Sequence, residues 1–433
     1  MQQQLIEKCY RERTPASASA FSEAGKWLPG GNSRQAGYWN PYPLTFVRGE
    51  GCYLWDLDDN HYIDLLGNYT ALVHGHAYPP ILEAVLARTA GGTCWVGNNE
   101  SQIYLAQLLA ERVAAVEQVR FTNSGTEAGN LALMIARKHS GRDKLLMARG
   151  GYHGSLMEFE TGFGGREGPL TCIAEYGNLA AFQQILSEQG QSIAAVFLEP
   201  VMGASGVIPG DSAFLNGVQQ AARDAGALFV LDEVLTFRLA FGGVQQLVGM
   251  APDLTVFGKL IGGGFPVGAI GGSRELLAMF DPVSPRIFHT GTFNANPVTM
   301  AAGVVSVKEL TAGRIAHMEA LAEKLKAGLV HGAAEAGLPL SINHVGSIMN
   351  LFFSEQATTT YGERNDQELT ARFHLAAMNP VVSTSRVRER EIFFTSLNPT
   401  VIVWLARLHS MPRVAVRVYS PAGTSKGSPF PMV

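Results

Sequence analysis

An α/β fold with a mostly parallel sheet covered by helices on both faces is the architecture this sequence predicts, on three observations. From about residue 80 to 305, short β-branched or apolar runs alternate with segments of helical length. Those runs are apolar along their whole length rather than at alternate positions, which suits strands buried on both faces. At 433 residues the chain exceeds the roughly 250–300 at which one hydrophobic core stops growing, so a smaller second unit is expected beside the first.

Residues 1–40 read as a helix followed by a Gly/Pro-rich arm, "LPGGNSRQAG". The stretch "LTFVRGEGCYLWDLDDNHYIDLL" alternates apolar and polar residues around a Gly-Glu-Gly and an Asp-Asp-Asn turn, the pattern of a small antiparallel meander. In the α/β part, "QVRFTNSG", "KLLMARGG", "AAVFLEP", "ALFVLDEV", "DLTVFGK" and "VGAIGGS" are the strand candidates. After about residue 306, "VKELTAGRIAHMEALAEKLKAGLVHGAAEAG" has helical spacing and "VGSIMNLFF" reads as a strand. The divisions are therefore 1–65 for the arm and meander, 66–305 for the large α/β domain, and 306–433 for a smaller α+β domain. Its tail, "SPAGTSKGSPFPMV", has a disorder-prone composition.

A formal net charge of -4 without long runs of one sign argues against a nucleic-acid or membrane surface. The N-terminus lacks the apolar core of a secretory signal, and no uninterrupted run of some eighteen apolar residues occurs. Cys9, Cys52, Cys94 and Cys172 are widely spaced and form no CxxC pair, as expected of reduced thiols. A cytoplasmic protein whose partners are small molecules and copies of itself is the expectation.

Three segments could carry chemistry. "VRFTNSGTEAGNLALMIARKHSG" reads as strand, tight loop and a helix from about Thr126 to a stop at Gly141. Ser124, Gly125 and Thr126 then sit where free N–H groups and the positive end of the helix dipole meet, a phosphate cradle or simply a helix cap. "GALFVLDEV" puts Asp232 at the C-terminal end of a buried strand, where a carboxylate needs a cation, a protonated ring nitrogen or a capping role. "TVFGKLIGGGFPVGA" places Lys259 among apolar residues and glycines. Desolvation there lowers a lysine's pKa and frees a nucleophilic amine, although a snorkelling side chain would read the same way.

A phosphate cradle, a carboxylate for a pyridinium nitrogen and a desolvated lysine are together what pyridoxal 5′-phosphate requires. The chain resembles the fold-type I, class III aminotransferases, including their glutamate-1-semialdehyde aminomutase and β-amino-acid transaminase branches. The resemblance runs from about Leu28 to Leu351 through "PGGNSR", "GEGCYLWDLDDNHYID", "FTNSGTEA", "GGYHG", "LEPVMG", "LDEV", "GKLIGGGFPVGAIGG" and "HTGTFNANPVTMAAG". It implies a seven-stranded-type sheet and a homodimer with shared sites, an amine donor and a keto acceptor. It also implies that Lys259 forms the Schiff base and moves the proton, and that Asp232 holds the ring nitrogen protonated. Ser124, Gly125 and Thr126 would take the phosphate, Tyr152 would stack on the ring with Val234 on its other face, and Glu199 would line its edge. Thr292 would reach the other subunit's phosphate, and Arg34 would bind a substrate carboxylate. Tyr38, Trp39 and Tyr69 near Arg34 hint at a pocket for an apolar or aromatic side chain.

"SRVREREIFFTSLNPT" is similar to the family's substrate-facing arginine segment, with Arg390 the nearest match, but the acidic helix usual after it is absent. "GTSKG" matches GxSxG only formally, without the strand and helix of a nucleophile elbow. His74 and His76 have no third ligand at useful spacing, so no metal is expected. An intramolecular aminomutase using the same cofactor is the alternative reading, and a catalytically silent dimeric binding protein a further one.

Overall fold

A computed structural model describes residues 2–155, 168–362, 367–378 and 391–393. The chain begins with two helices, Gln2–Arg13 and Pro15–Ala24, where a single one is expected. Pro15 explains the break, because a proline is accommodated in a first turn but not in a helix interior. The meander follows as β1 (Phe46–Glu50), β2 (Tyr53–Asp56) and β3 (His61–Asp64), paired antiparallel in that order.

The large sheet draws on β4 (Gln118–Thr122), β5 (Lys144–Ala148), β6 (Thr171–Ala174) and β7 (Ile193–Leu198). A short ribbon, β8 (Val201–Met202) and β9 (Ile208–Pro209), intervenes before β10 (Leu228–Asp232), β11 (Leu254–Gly258) and β12 (Gly268–Gly272). The 7-stranded order is β4-β12-β11-β10-β7-β5-β6. β12 runs antiparallel to both of its neighbours, and the other pairs are parallel. All six quoted runs form strands in it, and the seventh, β6, comes from "TCIA", a four-residue run too short to stand out.

Period-2 alternation sends neighbouring residues to opposite faces of this sheet. Leu145 and Met147 join Val230 and Val256 under the helix Gly125–Ser140. Leu146 and Ala148 join Phe229 and Leu231 under the helices Leu179–Gln189 and Ser212–Asp224. Both faces are thus dry, and polar groups are pushed to the strand ends.

Beyond the helices Pro297–Glu309 and Ala312–Glu335, β13 (Ser341–Val345) and β14 (Ile348–Phe352) form a hairpin. β15 (Glu391–Phe393) pairs parallel with β3, joining the C-terminal part to the N-terminal meander. No helix among the described residues is long and apolar enough to cross a membrane.

Candidate active site

Because β4, β5, β7, β10 and β11 all run one way, their carboxyl ends share one edge of the sheet, the edge at which open α/β sheets bind ligands. There the chain brings together Ser124, Gly125 and Thr126 after β4, Tyr152 and His153 after β5, and Glu199 after β7. Asp232 ends β10, Val234 lies two residues beyond it, and Lys259 follows β11 directly.

Ser124 caps the helix Gly125–Ser140, its Oγ accepting the Glu127 N–H at 3.1 Å. The Glu127 carboxylate reaches back to the Asn123 N–H at 2.7 Å. The first-turn amides of Gly125 and Thr126 have no helical carbonyl behind them and point outward with the helix dipole. Glycine is required around this cradle. A Cβ on Gly268, in the neighbouring β12, would lie 1.9 Å from the Ser124 carbonyl oxygen, and one on Gly154 would lie 2.5 Å from Thr126 Oγ1. A Cβ on Gly125 or Gly258 would come within 3.1 or 3.2 Å of Val234, so that side chain sits between the cradle and the residue before Lys259.

Asp232 is buried and held at both oxygens. The Val234 N–H donates to Oδ1 at 3.0 Å, and His153 Nδ1 meets Oδ2 at 2.9 Å. Burial alone would lower the His153 pKa, but the hydrogen bond and charge of Asp232, aided by Glu199, outweigh it and raise it. Glu199 accepts the Tyr152 N–H at 2.9 Å and the Gly203 N–H at 3.2 Å. Desolvation, reinforced by Asp232, still pushes its pKa to about 7, against the opposing effects of His153 and the two N–H donors.

Lys259 has a left-handed backbone, φ 50°. Desolvation lowers its pKa, with Asp232 and Glu199 partly opposing the shift. Among the described residues no hydrogen bond or ion pair occupies its amine. Residue types and motif order bring out Lys259, Asp232 and the cradle, whereas the His153 contact has no signal beyond the adjacent "GGYHG" glycines.

Arg34 and Tyr69 line a cavity of about 470 Å³ whose lining does not include Lys259 itself. Phe21, Trp39, Phe46 and Leu54 supply apolar wall, and Tyr69 also packs on the cluster holding Leu235, just beyond Val234. Thr292 lies on an exposed segment, its carbonyl 3.9 Å from Cys94 Sγ. Arg390 lies outside the described residues. No group of His, Cys, Asp or Glu suited to a metal occurs among the described residues.

A phosphopyridine aldehyde fits this donor set. An unpartnered, desolvated amine faces the carbonyl chemistry, a rigid carboxylate suits a ring N–H, and capped first-turn amides suit a phosphate. The model for the class-III aminotransferases matches residues 35–159 and 170–384. A β-phenylalanine transaminase of Variovorax paradoxus is 41% identical over 362 residues, covering 81% of this chain and 82% of the relative. A glutamate-1-semialdehyde 2,1-aminomutase of Myxococcus xanthus is 37% identical over 377 residues, 82% of this chain and 87% of the relative. The crystal structure of an ω-transaminase from Sphaerobacter thermophilus superimposes with a TM-score of 0.83 at 36% identity, over 92% of this chain and 94% of that one. A transaminase with PLP bound gives a TM-score of 0.75 at 32% identity, over 78% and 84%. With matches of this extent to the family model and to transaminases, the chain belongs to the class-III aminotransferases, enzymes of fold type I that work with pyridoxal 5′-phosphate.

Proposed function

We propose that this transaminase takes its amino group from a β-amino acid with an apolar or aromatic substituent and gives it to a keto acid. The observation that carries the reading is a guanidinium, Arg34, set in a cavity whose walls include Phe21, Trp39 and Tyr69. A guanidinium binds a carboxylate through two parallel hydrogen bonds, and the aromatic wall suits the substituent beside it. The β-phenylalanine transaminase relative supports this reading.

When bound, the cofactor would supply an electron sink for charge developing at the substrate carbon that bears the amine, which is Cβ in a β-amino acid. The chain's own groups then have distinct tasks. Lys259 Nζ, its pKa lowered by burial, would take the proton from that amine-bearing carbon and deliver it to the cofactor carbon that carried the aldehyde. Asp232, fixed by Val234 and His153, would accept from the ring N–H. Ser124, Gly125 and Thr126 would hold the phosphate, and Tyr152 and Val234 would pack on the ring. Glu199 fixes the Tyr152 backbone from the ring edge.

The same reading takes the working unit as a cytoplasmic homodimer in which Thr292 reaches the partner's phosphate. Trp95, Val96, Phe288 and Phe293 are exposed beside Thr292, and Asn296 Nδ2 ties this segment to the Thr93 carbonyl at 2.9 Å. Four free cysteines among the described residues suit a reducing compartment.

A donor panel of β-phenylalanine, α-alanine and 1-phenylethylamine with a keto acid tests the assignment. β-Phenylalanine should react fastest, and Lys259→Ala should lose at least roughly a thousandfold in rate. Reaction of the carboxylate-free amine alone would remove Arg34 from the substrate site. Isomerisation of glutamate-1-semialdehyde without any keto acid would instead make the enzyme an aminomutase.

A further inference from the structure

We propose that Asn68 is a specificity-determining residue, which positions Arg34 for the substrate carboxylate while leaving its charge unneutralised. The inference rests on the carboxylate-binding role of Arg34 proposed above. Arg34 Nη1 donates to Asn68 Oδ1 at 2.8 Å, and both residues line the cavity that Tyr69 and Trp39 help to form. The acceptor is an amide oxygen, so the guanidinium is aimed without being paired. Among the described residues no ion pair to Arg34 forms. The one carboxylate among the described residues of the cavity lining, Asp64, is committed elsewhere, because His76 Nε2 lies 2.7 Å from its Oδ2 and the N–H groups of Leu66 and Gly67 donate to its Oδ1.

The backbone shows what it takes to place that amide. Gly67, Asn68, Tyr69 and Thr70 have φ values of 55°, 51°, 56° and 72°, four successive left-handed residues. Asparagine accepts this conformation readily, but tyrosine and β-branched threonine do not. Thr70 is moreover buried with no partner for its Oγ1. Strain of this kind persists only where surrounding contacts impose it and is concentrated at ligand sites. Here Asp64 fastens the start of the turn, and the turn delivers Asn68 to Arg34 and Tyr69 to the cavity.

Asn68→Asp keeps the left-handed preference but turns the neutral acceptor into a competing carboxylate. Asn68→Gly keeps the backbone and removes the acceptor. Calorimetric titration of the holoenzyme with 3-phenylpropanoate and with its neutral amide measures the preference for charge independently of turnover. The Asp variant should reduce the carboxylate-over-amide preference about twofold to fivefold, the range an exposed ion pair is worth. The Gly variant should reduce it less, and in both the loss of β-phenylalanine turnover should fall on KM more than on kcat. Arg34→Gln should abolish the preference, and adding Asn68→Asp to it should change nothing further. An Arg34→Gln enzyme that keeps the preference overturns the role of Arg34 and this inference with it. Loss of the preference in Arg34→Gln but not in Asn68→Asp overturns the role of Asn68 alone.

Discussion

Glu199, His153 and Asp232 form a buried acid–base cluster in which Asp232 raises the pKa of both its neighbours. With its pKa raised from 4.5 to about 7, Glu199 binds a proton more tightly in the folded than in the unfolded protein. Its contribution to stability is therefore complete below the unfolded value and fades as pH rises through about 7, with roughly 3 kcal/mol at stake. His153 is also raised, so its contribution fades in the same direction. Glu199→Gln should flatten the fall in melting temperature of cofactor-free protein between pH 5 and pH 8. Equal slopes for wild type and variant would dissociate Glu199 from the effect. Lys259 and Asp232 are legible in the sequence because an ionisable residue amid apolar ones is conspicuous. His153 is not, since a lone histidine next to glycines gives no hint of the carboxylate that a different strand brings to it. Asn68 is less legible still, because nothing in "GNYT" announces left-handed tyrosine and threonine.

At the level of elements, β12 acts as an antiparallel wedge that seats the cradle. Gly268 pairs with Thr122 on one side and Gly258 on the other, joining the strand before the cradle to the strand before Lys259. No side chain can enter there, given the 1.9 Å separation from the Ser124 carbonyl oxygen. Gly268→Ala should cost about 2–4 kcal/mol and loosen cofactor retention, read from melting and from loss of cofactor absorbance on dilution. Gly141→Ala, at the other end of the same helix, is the control. Its φ of 69° predicts a penalty of about 1 kcal/mol, but open space around it predicts normal retention. Equal retention in both variants would detach β12 from the cradle. The large sheet is legible because fully buried strands read as unbroken apolar runs. β13 escapes because Asn343 and His344 interrupt "SINHV", and its strand character comes from pairing with β14.

For the whole molecule, the exposed apolar side chains around Thr292 point to assembly. Val96 has a relative exposure of 109% and Phe288 of 83%, values with an evident solvation cost in an isolated chain. Purified enzyme should sediment as a dimer, and Val96→Asp with Phe293→Asp should give monomers that retain cofactor poorly. An active wild-type monomer would refute the shared site. The pairing of β15 beside β3 joins segments more than three hundred residues apart, and no local signal in the sequence carries it.

The left-handed backbone at Lys259 has a consequence for how this protein can change over generations. The position favours glycine or asparagine on backbone grounds and an apolar group on burial grounds, yet it carries a lysine. Selection for stability alone would tend to discard this lysine. Only selection for turnover, or for the filled enzyme, holds it in place.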